Sequence, residues 1–105
     1  MRLGSLTREL ARFGIGVKKA WVYILECSDG TYYTGYSRDP EARFAQHQAG
    51  RASRYTRTRL PVKMVFLQEC PTSKQAYRAE RKIKLLPREK KEALARGEHS
   101  LASLL

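Results

Sequence analysis

Arg43 and His47 form the first pair whose residue types and spacing suggest chemistry. They lie four positions apart in a predicted helix, so their side chains project from one face. Asp39 is a good N-cap for that helix, Pro40 suits its first position, and Gly50 ends it. Exposed arginines and single histidines are usually ordinary surface residues. However, a guanidinium beside an imidazole can hold a phosphodiester, so the pair predicts a phosphate clamp.

Glu80 is a carboxylate in an unusual setting. It lies on the inward stripe of a second predicted helix, which Thr72 caps and Pro87 interrupts, and it is the only acid between Glu69 and Glu89. A buried carboxylate needs a cation or hydrogen bonds. Two interpretations stay open from the spacing. One is a salt bridge to Arg81, Arg43 or Lys84, and the other is a divalent metal, since Mg²⁺ in phosphate sites often takes one or two carboxylates.

Two tyrosine-bearing strands precede these helices. Residues 21–27 are apolar, β-branched and aromatic, and residues 31–36 are rich in Thr and Tyr, so both segments favour strands. The dipeptide Asp29-Gly30 between them is a strong hairpin signal. The sequence therefore predicts a β-hairpin over residues 21–36.

The register of this hairpin decides where its tyrosines point. A two-residue turn would put Tyr23 and Tyr33 on opposite faces of the sheet. A three-residue turn with Gly30 in the left-handed conformation pairs Leu25 with Tyr33 and Tyr23 with Gly35, and the two phenols then share a face. We favour the second register, which leaves no bulk at position 35 to cover Tyr23.

The segment 51–60 is predicted to be a loop that contacts a substrate. It holds four arginines and no acid of its own, interleaved with Ser, Thr and Tyr. Cations contact phosphates, and a tyrosine between them can stack on a base. The alternative is a charged surface loop. The residues predicted to contact nucleic acid here are Arg51, Arg54, Tyr55, Arg57 and Arg59.

Composition limits the function classes. The 105 residues carry 21 Lys and Arg against 10 Asp and Glu, a net charge of +11. Such an excess favours a polyanionic partner, which would be DNA, RNA or an anionic membrane surface, and we favour nucleic acid. No apolar run approaches the ~20 residues of a membrane span. Cys27 and Cys70 lack metal-type spacing and indicate reduced thiols in a cytoplasmic protein.

Three regions are predicted along the chain. Residues 1–19 form a basic extension with apolar residues at helical spacing, residues 20–96 form the main domain, which includes a third strand over 62–69, and residues 97–105 form an apolar tail. We expect the extension to pack on the domain or on a second copy; a membrane-surface segment or a transit-like leader are the alternatives. A homodimer through either apolar end is possible.

Val22-Tyr23 followed by Tyr33-Thr34-Gly35 resembles the signature pair of the GIY-YIG nucleases, whose strands carry Gly-Ile-Tyr and Tyr-Ile-Gly. Trp21, Val22 and Thr34 depart from that pattern, whereas the tyrosines and the second glycine remain. From residue 21 to about 91, the order of tyrosine, Tyr-x-Gly, helical Arg and His, and later helical Glu is similar to the family layout. The likeness is greatest to its small single-domain bacterial members.

The resemblance implies an α+β fold, a small three-stranded antiparallel sheet flanked by helices. It implies that Glu80 binds the single metal, that Arg43 holds the scissile phosphate, and that His47 lies at a family position occupied by His or Tyr. Tyr23 and Tyr33 match the paired phenols. A further family Asn has no clear match here. Arg88 or Lys84 lies near that position, and Lys84 is predicted to contact nucleic acid.

The implied reaction is hydrolysis of a nucleic-acid phosphodiester, with DNA favoured over RNA and one Mg²⁺ or Mn²⁺ as cofactor. Tyr23 is assigned as the base that activates water and Tyr33 as its orienting partner, and the reverse assignment stays open. A tyrosine has a reference pKa of about 10, so nearby cations must favour its phenolate. The alternative function is a non-catalytic DNA- or RNA-binding module on the same fold.

Overall fold

A computed structural model describes residues 18–104 of the chain. Its elements are β1 (Ala20–Glu26), β2 (Tyr32–Ser37), α1 (Pro40–Gln48), α2 (Arg54–Arg57), β3 (Lys63–Cys70), α3 (Ser73–Lys84), α4 (Arg88–Ala95) and α5 (Leu101–Leu104). The three strands form one antiparallel sheet, which confirms the predicted α+β fold. The interpretation of residues 1–19 as a helical appendage falls almost entirely outside the described residues.

The strand order is β2-β1-β3, which the sequence did not fix. Strand β1 therefore lies in the centre and is covered on both sides, and this explains its nearly continuous apolar sequence. One face, which includes Val22 and Ile24, packs against Ala76, Ile83 and Leu94 from α3 and α4. Leu101 of the C-terminal tail also packs against this side, so that part of the tail docks on its own domain.

The opposite face of the sheet carries the two tyrosines. Tyr23 and Leu25 are buried there with Val62, and Tyr33 and Phe44 pack against them half-buried. Helix α1 thus covers the side of the sheet that α3 does not. The two apolar faces place the predicted phosphate clamp and the predicted metal ligand on different helices, with the sheet between those helices.

The hairpin has the three-residue turn that we favoured. The Cys27 amide donates to the Thr31 carbonyl at 2.8 Å, and the Gly30 amide donates to the Cys27 carbonyl at 2.9 Å. Gly30 has a φ of 83°, where a side chain would be strained. Tyr23 pairs with Gly35 as a result, and the shared face of the two phenols is confirmed.

The helix boundaries follow the predicted caps, with one exception. Asp39 accepts from the Ala42 amide and Thr72 from the Gln75 amide, as expected for N-caps. The segment 51–60, predicted to be a loop, contains the helical turn α2. The turn forms because the Ser53 hydroxyl accepts from the amides of Tyr55 and Thr56, and this local cap was not recognised in the sequence.

Candidate active site

Tyr23 lies at the centre of the candidate site and is only 1% exposed. Its Oη is 2.9 Å from Nε2 of His47, which projects inward from α1. Burial, followed by the neighbouring charge of Tyr33, raises the pKa of Tyr23 well above its ordinary value, and the Arg43 guanidinium opposes that shift. The isolated protein therefore holds Tyr23 as a neutral phenol at pH 7.

His47 connects two polar groups inside the protein. It is 1% exposed, with Nε2 on Tyr23 and Nδ1 2.9 Å from Oγ1 of Thr56. Burial lowers the pKa of His47 to about 4, and the nearby charge of Arg43 acts in the same direction. The imidazole is therefore neutral at pH 7, so one of its two ring nitrogens carries no hydrogen and can accept a proton.

Arg43 lies one turn before His47 on α1 and is exposed. Its Nη1 donates to the Gln46 side chain at 3.1 Å, which leaves other guanidinium donors for an anion. The charge of the Arg43 guanidinium acts to lower the pKa of both Tyr23 and His47. The structure therefore brings four of the five predicted catalytic residues, all except Glu80, to one side of the sheet.

Tyr33 belongs to an aromatic column beside these residues. Its ring meets the His47 ring edge-on at 5.1 Å between centroids, and it stacks on Tyr55 at 6.1 Å. The guanidinium of Arg59 lies 3.9 Å above the Tyr55 ring. Tyr33 is more exposed than Tyr23, because it lies on the edge strand β2. The column extends from the buried His47 to the surface of the arginine-rich segment.

Glu80 is the buried carboxylate of α3, with 9% of its surface exposed. Its Oε1 lies 2.6 Å from Nζ of Lys84, one turn later, so the predicted alternative of a salt bridge is present. The charge of Glu80 also contributes, as the smallest of the causes, to the raised pKa of Tyr23, although α3 covers the other face of the sheet. Lys84, Tyr33 and Tyr55 line one groove.

A metal at this site would have one protein carboxylate. Within residues 18–104 there is no group of three or more His, Cys, Asp and Glu side chains that could enclose an ion. A lone carboxylate beside a groove suits Mg²⁺ or Mn²⁺ that keeps several waters and binds a substrate phosphate, and does not suit a closed structural metal site. The donor set of Glu80 is therefore compatible with the implied cofactor.

The arginine-rich segment divides into two kinds of residue. Arg51, Arg54 and Arg57 are exposed, and among the described residues none of them pairs with an acid. Arg59 differs because its Nε donates to the Asp29 carboxylate at 3.0 Å and its Nη1 donates to the Tyr55 carbonyl at 2.9 Å. The acid that pairs with Arg59 lies outside the segment, in the hairpin turn, and the sequence did not indicate this pair.

The sequence analysis assigned no functional role to Asp29 or Thr56, although both make polar contacts around the site. Asp29 was read only as part of a turn, and Thr56 only as a polar residue between arginines. Thr56 is the single buried residue of α2, with its hydroxyl on His47. No local pattern in the sequence marks that contact, because residues 47 and 56 belong to separate elements.

The fold is that of a small α+β domain in which helices flank a three-stranded antiparallel sheet. A family model described as the GIY-YIG catalytic domain matches residues 19–93. The chain belongs to the GIY-YIG family. That family implies nuclease-type function and nucleic-acid binding, and its nucleases generally depend on a divalent metal.

Several proteins named UPF0213 are similar to this chain. One from Halobacterium salinarum is 49% identical over 73 residues, which are 70% of this chain and 95% of that protein. Another from Streptococcus sanguinis is 47% identical over 73 residues, 70% of this chain and 84% of the relative. The solution NMR structure of a UPF0213 protein from Bacillus halodurans is similar with a TM-score of 0.50 and 38% identity, covering 82% of this chain and 92% of that one.

The helices of the described residues were compared with the requirements for crossing a membrane. None of the helices within residues 18–104 has both the length and the apolar character needed to cross a bilayer.

Proposed function

We propose that this protein is a metal-dependent endonuclease that hydrolyses phosphodiester bonds, with DNA as the favoured substrate. The observation that carries the proposal is the 2.9 Å contact between Tyr23 Oη and His47 Nε2, with Arg43 one helical turn before His47 on the same helix. A buried phenol needs an acceptor for its proton, and the acceptor here is a neutral imidazole, which can also take up that proton. The net charge of +11 and the unpaired arginines of the segment 51–57 support a polyanionic substrate.

In this mechanism Tyr23 transfers a proton from water to His47. The phenol accepts the proton of the attacking water while its own proton moves to Nε2, so that the imidazole becomes an imidazolium. The raised pKa of Tyr23 disfavours a free phenolate, and a concerted transfer avoids forming one. Arg43 would stabilise the charge that develops on the phosphoryl oxygens.

Glu80 is the proposed holder of the divalent cation. When bound, the cation would supply Lewis-acid stabilisation of the leaving 3′-oxygen. Lys84 must then share Glu80 with the cation or turn toward the phosphate, which its exposed position permits. This second position for Lys84 would give it the proposed role in nucleic-acid binding.

The assignment of the base has a competitor in Tyr33. Tyr33 is more exposed and touches the His47 ring by its edge, whereas Tyr23 holds the hydrogen bond to Nε2. Tyr23→Phe and Tyr33→Phe variants distinguish them through the pH dependence of cleavage. We expect the loss of kcat to be larger for Tyr23→Phe, by on the order of 10²-fold or more.

The deciding experiment incubates purified protein with plasmid and single-stranded oligonucleotides, with Mg²⁺, with Mn²⁺ and with chelator. Wild type should cleave only with metal, and Glu80→Gln should not cleave. Glu89→Gln, which removes an exposed acid in the first turn of α4, is the matched control and should cleave normally. Cleavage that persists in Glu80→Gln would contradict the proposed site.

The second candidate function is a non-catalytic nucleic-acid-binding module. The ion pair between Lys84 and Glu80 favours it, because it satisfies the buried carboxylate without a metal. Binding of oligonucleotides without cleavage under every metal condition would support this alternative.

We also propose a cytoplasmic location and a homodimer through the apolar ends of the chain, and we keep the division into a region 1–19 and a region 97–105 as a proposal. Light scattering of full-length and truncated chains tests the dimer.

A further inference from the structure

The Thr56 hydroxyl ends a chain of buried hydrogen bonds that starts at Tyr23. Thr56 is 0% exposed, and its Oγ1 lies 2.9 Å from His47 Nδ1 and 3.5 Å from the Ser53 carbonyl oxygen. On the other side of the imidazole, Nε2 lies 2.9 Å from Tyr23 Oη. Tyr23, His47 and Thr56 belong to three different elements. The direction of each hydrogen bond between them depends on which group donates and which accepts.

The Ser53 carbonyl oxygen offers the Thr56 hydroxyl proton an acceptor other than His47. That contact is long at 3.5 Å, and the 2.9 Å contact between Thr56 Oγ1 and His47 Nδ1 runs in either direction according to the tautomer. When Thr56 donates to the carbonyl, it offers a lone pair to His47, and Nδ1 then carries the hydrogen of the neutral imidazole. That hydrogen on Nδ1 leaves Nε2 bare.

The contact with Tyr23 favours the same tautomer but does not hold it without Thr56. Arg43 interacts with the Tyr23 hydroxyl but is a donor only. Within the described residues, His47 Nε2 is therefore the acceptor open to the buried Tyr23 proton. If Nε2 carried the hydrogen instead, that hydroxyl proton would be buried without a partner, which is unfavourable.

We propose that Thr56 is a positioning residue that holds His47 in the tautomer protonated on Nδ1. This inference rests on the proposed function, because that tautomer alone presents a bare Nε2 to take the proton from Tyr23. The proton arriving on Nε2 converts the neutral imidazole to imidazolium, and Nδ1–H keeps its bond to Thr56 throughout. Thr56 thereby links the arginine-rich turn to the proton acceptor of the site.

Two substitutions separate the hydroxyl from the space it fills. Thr56→Val keeps the shape but removes the acceptor for Nδ1–H, and Thr56→Ser keeps the hydroxyl. Valine should shift a measurable fraction of His47 to the tautomer protonated on Nε2, whereas serine should keep the wild-type tautomer. Valine should also lower kcat by roughly 10²-fold with little change in KM, and serine should restore most of it.

The tautomer is measured directly by long-range ¹H–¹⁵N correlation of the imidazole rings in full-length protein near pH 7, without substrate or metal. The chain has only two histidines, so His99→Gln assigns the signals of His47. Wild-type protein with the hydrogen on Nε2 would overturn the proposal even if Thr56→Val failed to fold. An unchanged tautomer in folded Thr56→Val would overturn it as well.

This experiment separates the proposal from the function on which it rests. If the tautomers behave as expected but wild type cleaves no substrate, then the positioning holds and the nuclease function fails. If wild type cleaves but valine changes neither tautomer nor kcat, then Thr56 has no positioning role.

Discussion

Gly35 leaves the space that the Tyr23 side chain occupies. A Cβ at position 35 would lie 2.6 Å from Tyr23 Oη and 2.7 Å from its Cζ. The glycine is required here by the close approach of a neighbouring side chain, and not by a positive φ. Because the ring of Tyr23 is buried and bonded to His47, it cannot move aside freely.

Gly35→Ala should therefore destabilise the protein and misplace the phenol. We expect the free energy of unfolding to fall by about 1–3 kcal/mol, as in other overpacked interiors, measured by chemical denaturation. The same substitution in a Tyr23→Ala background should cost much less, since the clashing ring is gone. An equal cost in both backgrounds would mean that Gly35 is needed for a reason other than Tyr23.

The buried imidazole should make stability depend on pH. The pKa of His47 is about 4 in the folded protein, against an ordinary value of 6.5, so the unfolded chain binds more protons between these values. The free energy of unfolding contributed by His47 is thus fully present above pH 6.5 and declines as the pH falls toward 4. The total loss should be about 3 kcal/mol, since each pKa unit corresponds to about 1.4 kcal/mol.

The measurement compares denaturation of wild type and His47→Gln from pH 7.5 to 4. His99 and the carboxylates titrate in both proteins, so the difference between the two curves isolates His47. The difference should shrink steadily below pH 6.5. A constant difference across this range would contradict the lowered pKa.

Arginines of the segment 51–59 should differ in their contribution to nucleic-acid binding. Arg54→Ala and Arg57→Ala should each weaken oligonucleotide binding and reduce the salt slope of log K by about 1, because each removes a free cation. Arg59→Ala is the contrast. Arg59 is engaged with Asp29 and Tyr55, so its loss should lower stability more than it changes the salt slope. Equal salt slopes for all three variants would contradict this division.

Removing Lys84 should strengthen metal binding at Glu80. Its ammonium lies 2.6 Å from the carboxylate and competes with a divalent cation. Because Lys84 is about half exposed, the gain from Lys84→Met should be modest, roughly two- to fivefold in Mn²⁺ affinity. Calorimetry or the EPR signal of free Mn²⁺ measures this.

Lys82→Met is the matched control for Lys84. It removes the same charge from the same helix, but residues two apart do not share a face with Glu80. An equal gain in both lysine variants would show an effect of net charge alone. Metal binding that survives Glu80→Gln would place the cation elsewhere.

The sequence by itself determined the local features of this protein. Asp29-Gly30 set the position of the hairpin turn and left two registers, of which the favoured one, with Tyr23 and Tyr33 on a common face, is present. Asp39 and Thr72 set two helix starts. These features depend on residues a few positions apart, whose geometry follows from turn chemistry and strand alternation. The position of Arg43 and His47 one turn apart on a single helix could be predicted for the same reason.

Only the tertiary structure decided the strand order, the burial of His47 and the contact of His47 with Thr56. It also paired Arg59 with Asp29 and Glu80 with Lys84, although spacing alone had left several partners open for Glu80. The pKa of a histidine depends on how much water the packed elements exclude and on which charges they bring near. Those quantities arise when α1 and α2 close over one face of the sheet, and no local pattern in the chain specifies them.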